Sequence, residues 1–503
     1  MNLATLLDGV QVTKMFQLLY GQMAVTQDLH VNAIQYDSRK VASNDCFVAI
    51  KGVGTDGHTF VGAAVERGAK VVVLENDAIL PDSYFMHAGV VKIVVPDSRK
   101  ALAVLSANYY GHPSKSMKLI GVTGTNGKTT TTHLVRSICE TAGMKTGLVG
   151  TIEYRVGDEI IPATHTTPES LELNQLLATM LKHGCSAATM EVSSHALQQS
   201  RVYGLDFDAA VFTNLTQDHL DYHGTMASYF QAKKILFDGL RPTSRAVTNI
   251  DNEYGETIVS STTAGRLTYS VERDADVRAS KIRLSIDGTQ FEIAHSSGTT
   301  SISTPLVGRF NVYNILAAFS AGVALNIPTQ TICQGVEHVQ NVRGRFEKIR
   351  SPQGWTAIVD YAHTPDALNQ CLHTIREVLP SENRGKIITV FGAGGDRDKS
   401  KRPLMGAVAG TLSDLVVITS DNPRTEDPAS IIEEIIHGLP KGTKFVREMD
   451  RRAAIHKAVH LAEPGDVILI AGKGHEDYQV IGTTRSHFSD REEVEELLSH
   501  RSK

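Results

Sequence analysis

Residues 121–130 read GVTGTNGKTT, and this stretch decides the fold. An apolar run, Lys118-Leu119-Ile120 and then Val122, enters a turn of small residues. Lys128 and Thr129 follow, and then a helix-like segment from Thr130 to Thr141. Strand, loop and helix in that order make a phosphate cradle. Glycine lets the backbone approach the phosphates, N–H groups at the helix start point at anionic oxygen, Lys128 adds a point charge, and the Thr129 hydroxyl suits Mg²⁺. The spacing departs from G-x-x-x-x-G-K-[ST]: Val122 holds the place of the first glycine, with glycines at 121 and 124 instead. A glycine-rich turn that merely ends a strand is the plain alternative, and the following lysine, threonine and helix favour a nucleoside triphosphate over it.

At 503 residues the chain exceeds one core, and about two to four domains are expected. Its 41% hydrophobic and 21% charged residues are ordinary for a globular protein. A formal net charge of −5 leaves no basic excess to neutralise a phosphate backbone, so no nucleic-acid partner is expected. The five cysteines, 46, 139, 185, 333 and 371, include no Cys-x-x-Cys pair, which reads as reduced, mostly buried thiols of a cytoplasmic protein. No basic region followed by an apolar core opens the chain, and no apolar run approaches the roughly 18 residues of a membrane span.

Three α/β segments follow from the pattern. From about residue 27 to 112, Phe47–Ile50 and Lys70–Leu74 read as strands and Phe60–Arg67 as a helix. The turn-rich Gly111-His112-Pro113-Ser114 closes a small N-terminal α/β domain, 1–113. A central domain, 114–344, begins with the strand feeding the phosphate loop. It continues through Ala187–Met190 and Ala209–Phe212, runs typical of strands covered on both faces, to a helix near Val312–Leu325. The third domain, 345–503, has strands at Thr356–Val359, Lys386–Phe391, Asp414–Thr419 and Asp466–Ala471. The fold class is α/β: a small N-terminal domain, a central doubly wound domain of the P-loop type, and a C-terminal Rossmann-like domain.

Polar clusters follow several strands. Glu191 ends Ala187–Met190 and has two readings, a neighbour of a helix N-cap or a Mg²⁺ ligand. Asp218, His219, Asp221 and His223 follow another strand. Gly392-Ala393-Gly394-Gly395 invites a dinucleotide reading, but the charged run Asp396 to Arg402 speaks against it and suits a small zwitterion. Asp421-Asn422-Pro423-Arg424 and Gly472-Lys473-Gly474-His475-Glu476 also fall at strand ends, where open α/β sheets place ligands. A solvated charged loop is the alternative for each.

Together these segments resemble the Mur ligase family, which builds the peptide of bacterial cell-wall precursors. The resemblance is carried by GVTGTNGKTTT at 121–131, MEVSSHAL at 190–197, TNLTQDHLDYHGTM at 213–226, GRFNVYN at 308–314, GRFE at 344–347, DYAHTPDAL at 360–368, FGAGGDRDKSKRPLMG at 391–406, DNPR at 421–424 and AGKGHEDYQ at 471–479. It spans all three segments, and the off-pattern phosphate loop is the family's own form. It implies an ATP-dependent ligase in peptidoglycan precursor synthesis, monomeric and cytoplasmic. ATP would phosphorylate the free carboxylate of UDP-N-acetylmuramoyl-L-alanyl-D-glutamate, and meso-diaminopimelate would attack the acyl phosphate.

Carried over by motif, the resemblance gives ATP to Gly124, Thr125, Asn126, Gly127, Lys128, Thr129, Thr130, Asn311, Arg345 and Asp360, with His363 nearby. It gives Mg²⁺ to Thr129, Glu191, His219 and Lys233 as its carbamate; without the resemblance Lys233 reads as a plain surface lysine. The nucleotide-sugar substrate falls to Ser38, the turn Val53-Gly54-Thr55, Thr166, Thr167, Ser193, Gln199 and Arg201. Diaminopimelate falls to Arg397, Asp421, Asn422, Pro423, Arg424, Gly472 and Glu476. Arg424 would pair its distal carboxylate, which speaks against the lysine-adding ligases of the family. Folate polyglutamate ligases share the phosphate loop but not DNPR and GKGHE. A phosphate-loop switch would hydrolyse nucleotide without an amine, and a dehydrogenase would rest on Gly392 to Gly395 alone.

Overall fold

The computed structural model describes residues 1–19, 22–23, 28–52, 54–379 and 385–500, which fall into two compact units. Val53, in one predicted substrate turn, lies outside the described residues. The first unit takes in residues 1–121, 144–208 and 239–241, and the second 122–143, 209–238 and 242–503.

In the first unit, a five-stranded sheet runs in the order Lys14–Phe16, Val91–Val94, Val71–Leu74, Cys46–Val48, Ile34–Gln35. All but the first are parallel. Val71, Val73, Val91 and Ile93 meet Ala101, Leu102 and Leu105 of helix Ser98–Tyr109 on one face. Phe47, Val72 and Leu74 meet Val61, Ala64 and Phe85 on the other. Two covered faces account for the unbroken apolar runs. Later in the same unit, Ala187–Glu191 pairs in parallel with Thr146–Val149. A hairpin, Glu153–Val156 and Glu159–Pro162, extends that sheet antiparallel.

Among the described residues the second unit has two larger sheets and a two-stranded pair, Tyr478–Ile481 with Thr484–His487. In one, Ala209–Phe212, Arg245–Asn249, Gly265–Ser270 and Val277–Leu284 are parallel, and Thr289–His295 and Gly298–Thr304 continue antiparallel. That antiparallel extension was not expected from the sequence. Along Thr289–His295 burial alternates, as in a strand with only one face covered.

The other sheet has the order Glu347–Arg350, Thr356–Asp360, Val467–Ala471, Ile387–Phe391, Leu415–Ile418, Phe445–Arg447, parallel except for its first strand. Ile358, Phe391, Ile418 and Leu469 face helices Pro365–Val378, Lys401–Leu412 and Pro428–Ile436. Val359, Val390, Val417 and Ile470 face Arg451–Leu461 and Asp490–His500. Alternate residues therefore serve opposite layers, the doubly wound arrangement. Register is what positions the loops: Asp360 lies across from Ala471, Ala471 from Phe391, and Phe391 from Ile418. Four strands end in one row, and the loops that follow them leave the sheet side by side.

Candidate active site

In the second unit, the strand ending at Thr123 leads into the glycine loop, and the helix begins at Lys128, two residues earlier than expected. Gly124 (φ +151°) and Gly127 (φ +84°) hold backbone conformations that side chains avoid. A Cβ on Gly124 would run into Thr213 Oγ1, and one on Gly127 into Asn314 Oδ1. The loop is braced from behind. Thr213 donates to the Asn126 carbonyl at 2.6 Å, and Asn126 N–H donates to Asn214 Oδ1 at 2.9 Å. Thr125 N–H donates to the Asn214 carbonyl at 2.8 Å, and Asn126 Nδ2 to Asp366 at 2.9 Å. Lys128 curls over the loop onto the Gly124 and Thr125 carbonyls (3.0 and 2.8 Å). Thr129 and Thr130 sit buried in the first turn. Asn311, buried, donates to the Val307 carbonyl and accepts from Asn314, the residue packed against Gly127.

Lys233 is no surface lysine. It is 1% exposed on helix Met226–Asp238, donates to the Gly124 carbonyl at 2.8 Å and lies over the Tyr229 ring. Burial, and then the charge of Lys128, push its amine well below the ordinary lysine value. On the loop that precedes the short helix Leu220–His223, Asp218 and His219 form a 3.4 Å pair, and His219 is held in the left-handed region at φ +53°. Burial raises the Asp218 carboxyl, but His219 and His363 outweigh it and bring the group below its usual value. His363, bonded to the Tyr361 carbonyl at 2.8 Å, is pushed down by burial and by Lys401.

Arg345 is presented by a strained turn. Phe346, a bulky residue, sits at φ +47°, and its N–H donates to Asp360 Oδ2 at 2.6 Å. Gly344 N–H donates to Glu347, and Tyr361 N–H to the Gly344 carbonyl. So fixed, Arg345 stacks on Tyr361 and donates to Thr129 Oγ1 at 3.0 Å. Asp360 thus supports the backbone under Arg345, and burial pushes its carboxyl up.

Three of the loops leaving the aligned strand ends carry the residues assigned to an amino acid. Asn422 Nδ2 donates to Glu476 Oε2 at 2.9 Å, and a Cβ on Gly472 would come 2.7 Å from Asp421. Burial raises the Asp421 carboxyl, yet Lys473 and Arg451 outweigh it and hold the group below its usual value. Glu476 is pushed up by burial, Lys473 opposing. Arg424 adopts φ +52°; its N–H donates to the Val480 carbonyl, and Nη1 to the Gly395 carbonyl at 2.7 Å. A Cβ on Gly394 would come 3.0 Å from Arg424 Nη1 and 3.8 Å from Arg397 Cγ, so both arginines flank one glycine. Arg397 itself donates only locally, to the Asp396 carbonyl. Beneath the loops Arg451, wholly buried, pairs with Asp490 at 2.7 Å and donates to the Ala471 and Ser420 carbonyls. Pro423 is buried, and its carbonyl occupies the space a Cβ on Gly395 would need.

The first unit gathers another cluster. Thr167 Oγ1 donates to the Glu191 carbonyl (2.8 Å) and accepts from Ser193 N–H (3.1 Å). Arg201 donates to the Thr167 carbonyl and to Gln199. The buried Glu191 carboxylate accepts from Thr151 N–H and Oγ1 at 2.8 and 3.0 Å, and Thr151 meets Thr166. Ser38 is buried in the turn after Ile34–Gln35, near Tyr36, whose hydroxyl bonds Glu172.

Sequence reasoning missed the residues that act from behind: Thr213, Asn214, Tyr229, Asn314, Asp366, Arg451 and Lys473. Thr213, Asn214, Asn314, Asp366 and Lys473 lie inside the motifs that carry the resemblance, so a signal existed, but only the fold says which motif positions meet. Among the described residues no three His, Cys, Asp or Glu side chains gather as a metal site, and no helix is long and apolar enough to cross a membrane. Among the described residues no cysteine forms a disulfide, and four of the five are buried.

Known proteins are similar along nearly the whole chain. Residues 122–322 match the Mur ligase middle domain, 344–474 the Mur ligase, glutamate ligase domain, and 30–110 the Mur ligase family, catalytic domain. A Clostridium botulinum protein named UDP-N-acetylmuramoyl-L-alanyl-D-glutamate--2,6-diaminopimelate ligase is 46% identical over 471 residues, 93% of this chain and 95% of its own. A Geobacter sulfurreducens protein of the same name is 46% identical over 496 residues, 94% and 96% of the two chains. A solved structure of a ligase of that name is 32% identical, with a TM-score of 0.68 over 98% of this chain and 100% of its own.

Proposed function

This chain belongs to the Mur ligase family, an ATP-dependent amide-forming ligase of three-domain α/β architecture, and from that premise we propose that it joins meso-diaminopimelate to the D-glutamate of UDP-N-acetylmuramoyl-L-alanyl-D-glutamate. The observation that carries the reading is the row of strand ends at Asp360, Ala471, Phe391 and Ile418, with Asp421, Asn422, Arg424 and Glu476 on the loops beyond them. Carboxylates there suit a substrate ammonium. The Arg424 fork suits the distal carboxylate that lysine lacks. We assign the domains to 1–113 for the uridine end, 114–344 for ATP and 345–503 for the amino acid.

Gly124, Thr125, Asn126, Gly127, Lys128, Thr129 and Thr130 would cradle the phosphates of ATP, with Arg345 adding charge where Thr129 begins the helix. Thr166, Thr167, Ser193, Gln199, Arg201 and Ser38 would orient the nucleotide substrate. Transfer of the γ-phosphoryl group to the glutamate carboxylate makes an acyl phosphate. The amine then adds to its carbonyl, and the tetrahedral adduct loses phosphate to leave the amide.

Hard oxygen donors suit Mg²⁺. By motif, Thr129, Glu191, His219 and Lys233 as its carbamate are assigned to it, and bound Mg²⁺ would neutralise phosphate charge. The buried Lys233 amine fits that modification. Burial and Lys128 favour its neutral form, whose nitrogen would attack CO₂, forming an N–C bond as one C=O π bond opens to the carboxylate and a proton leaves. The enzyme is assigned to the cytoplasm as a monomer.

The test is phosphate release from ATP in the presence of the nucleotide dipeptide, with meso-diaminopimelate, L-lysine or no amine. Release with diaminopimelate alone is expected. Preference for lysine overturns the Arg424 assignment, and release indifferent to amine overturns the ligase reading.

A further inference from the structure

Lys473 has no role in the reaction described so far, yet its setting is unusual. It follows the strand end Ala471 by two residues, its side chain is wholly buried, and it lies under the Tyr478 ring. Its ammonium donates to Asn422 Oδ1 at 3.2 Å and Glu476 Oε2 at 3.1 Å. Asn422 is tied on both sides: Oδ1 also accepts from Val480 N–H, and Nδ2 donates to the same Glu476 oxygen. Glu476 Oε2 is therefore consumed by two donors. Among the described residues, Oε1 meets only the Tyr478 hydroxyl, at 3.5 Å.

We propose that Lys473 is a positioning residue for the incoming amino acid, locking Asn422 and Glu476 so that Glu476 Oε1 and Asp421 are offered together to a substrate ammonium. The inference rests on the amino-acid assignment above and adds the residue that makes it work. Two carboxylates close to one another repel and reorient unless a cation is fixed between them. A lysine that holds one of them by a single oxygen leaves the other oxygen for the ligand.

The charge environment gives the proposal a signature. Lys473, Asp421, Arg451, Tyr361 and Tyr478 are the titratable and charged groups around Glu476. Burial and Asp421 raise the Glu476 carboxyl, and Lys473, with the Asn422 hydrogen bond, opposes them. Without Lys473, burial and Asp421 are opposed only by the Asn422 hydrogen bond, so the Glu476 carboxyl moves further up.

The experiment is steady-state kinetics of wild type, K473M and K473M/E476Q, varying each substrate in turn. In K473M the KM for diaminopimelate should rise roughly 10- to 100-fold and should fall again as the pH is raised. That pH dependence should be steeper than in the wild type, and the KM for ATP and for the nucleotide dipeptide should not move. K473M/E476Q should show the high KM without the pH dependence. Removing both partners of a buried pair is gentle on folding, so this double variant decides the matter if K473M is recovered unfolded. A wild-type KM for diaminopimelate in either variant, a pH-flat K473M, or equal losses for all three substrates overturns the proposal. Absence of diaminopimelate-dependent turnover in the wild type overturns the proposed function itself, a different result.

Discussion

Arg345 Nη2 donates to Thr129 Oγ1 at 3.0 Å, so the residue just ahead of the strand Glu347–Arg350 touches the first turn of the phosphate-loop helix. The contact depends on Asp360, whose carboxylate accepts the N–H of the strained Phe346. Arg345→Ala should lower kcat/KM for ATP by about 10²-fold, the usual loss for one donor aimed at developing charge, while the KM for diaminopimelate stays put. Asp360→Asn, which keeps an acceptor for Phe346, should retain far more activity than Asp360→Ala. Equal losses in the two Asp360 variants would remove the turn from the explanation.

Glycine at 124 is demanded twice, by its φ of +151° and by Thr213 Oγ1, which fills the place of a Cβ. Gly124→Ala should cost about 1–3 kcal/mol of stability and abolish nucleotide binding. Thermal unfolding with and without ATP is the check: the variant should melt lower and gain nothing from the nucleotide.

Lys233 donates to the carbonyl of that same glycine and is kept short of its proton by burial and by Lys128. Stripping dissolved CO₂ from the buffer should lower wild-type kcat, and bicarbonate should restore it. Lys233→Ala should be nearly inactive and insensitive to either treatment. Wild-type activity indifferent to CO₂ would remove the carbamate from the mechanism.

Arg424→Ala should cut kcat/KM for diaminopimelate by roughly 10- to 100-fold, the loss of about 1–3 kcal/mol when a charged partner disappears. The nucleotide dipeptide should bind as before. Arg424→Lys should recover only part, because an ammonium lacks the two parallel donors. An unchanged diaminopimelate rate would sink the assignment.

Glu426 offers an acid-range test. Its hydrogen bonds from Arg402, Lys399 and the Asp396 N–H outweigh burial and hold the carboxyl at about 2, against the usual 4.5. Because the folded value is depressed, the stabilisation is complete above about pH 4.5 and drains away as pH falls toward 2. Glu426→Gln should therefore lower Tm at neutral pH and flatten its decline across that acid window. A Tm profile parallel to wild type would count against the pairing.

The sequence announced what is local along the chain. Gly124, Gly127 and Lys128 declare a phosphate loop because strand, turn and helix are contiguous, and Ala209–Phe212 was found at its true bounds because both faces of its sheet are apolar. The loops at Asp421 and Gly472 were legible as strand-end loops for the same reason. What stayed hidden depends on distant segments. Lys233 reads as a surface residue on a helix until Gly124 is seen above it. Asp366 and Lys473 look like ordinary motif charges until Asn126 and Glu476 arrive beside them. Asn311 and Asp360, assigned to ATP by the resemblance, also hold the framework: Asn311 bonds the Val307 carbonyl and Asn314, and Asp360 the Phe346 N–H.

The row of strand ends at Asp360, Ala471, Phe391 and Ile418 has an evolutionary consequence. Each loop beyond it stands on a floor fixed by main-chain pairing, not by its neighbours' side chains. A loop such as 421–424 is therefore free to be rewritten while the platform beneath it stays level. A lineage can thus change the amine it accepts by exchanging a few residues at one lip of the sheet, leaving the machinery of carboxylate activation, built around a different set of segments, untouched.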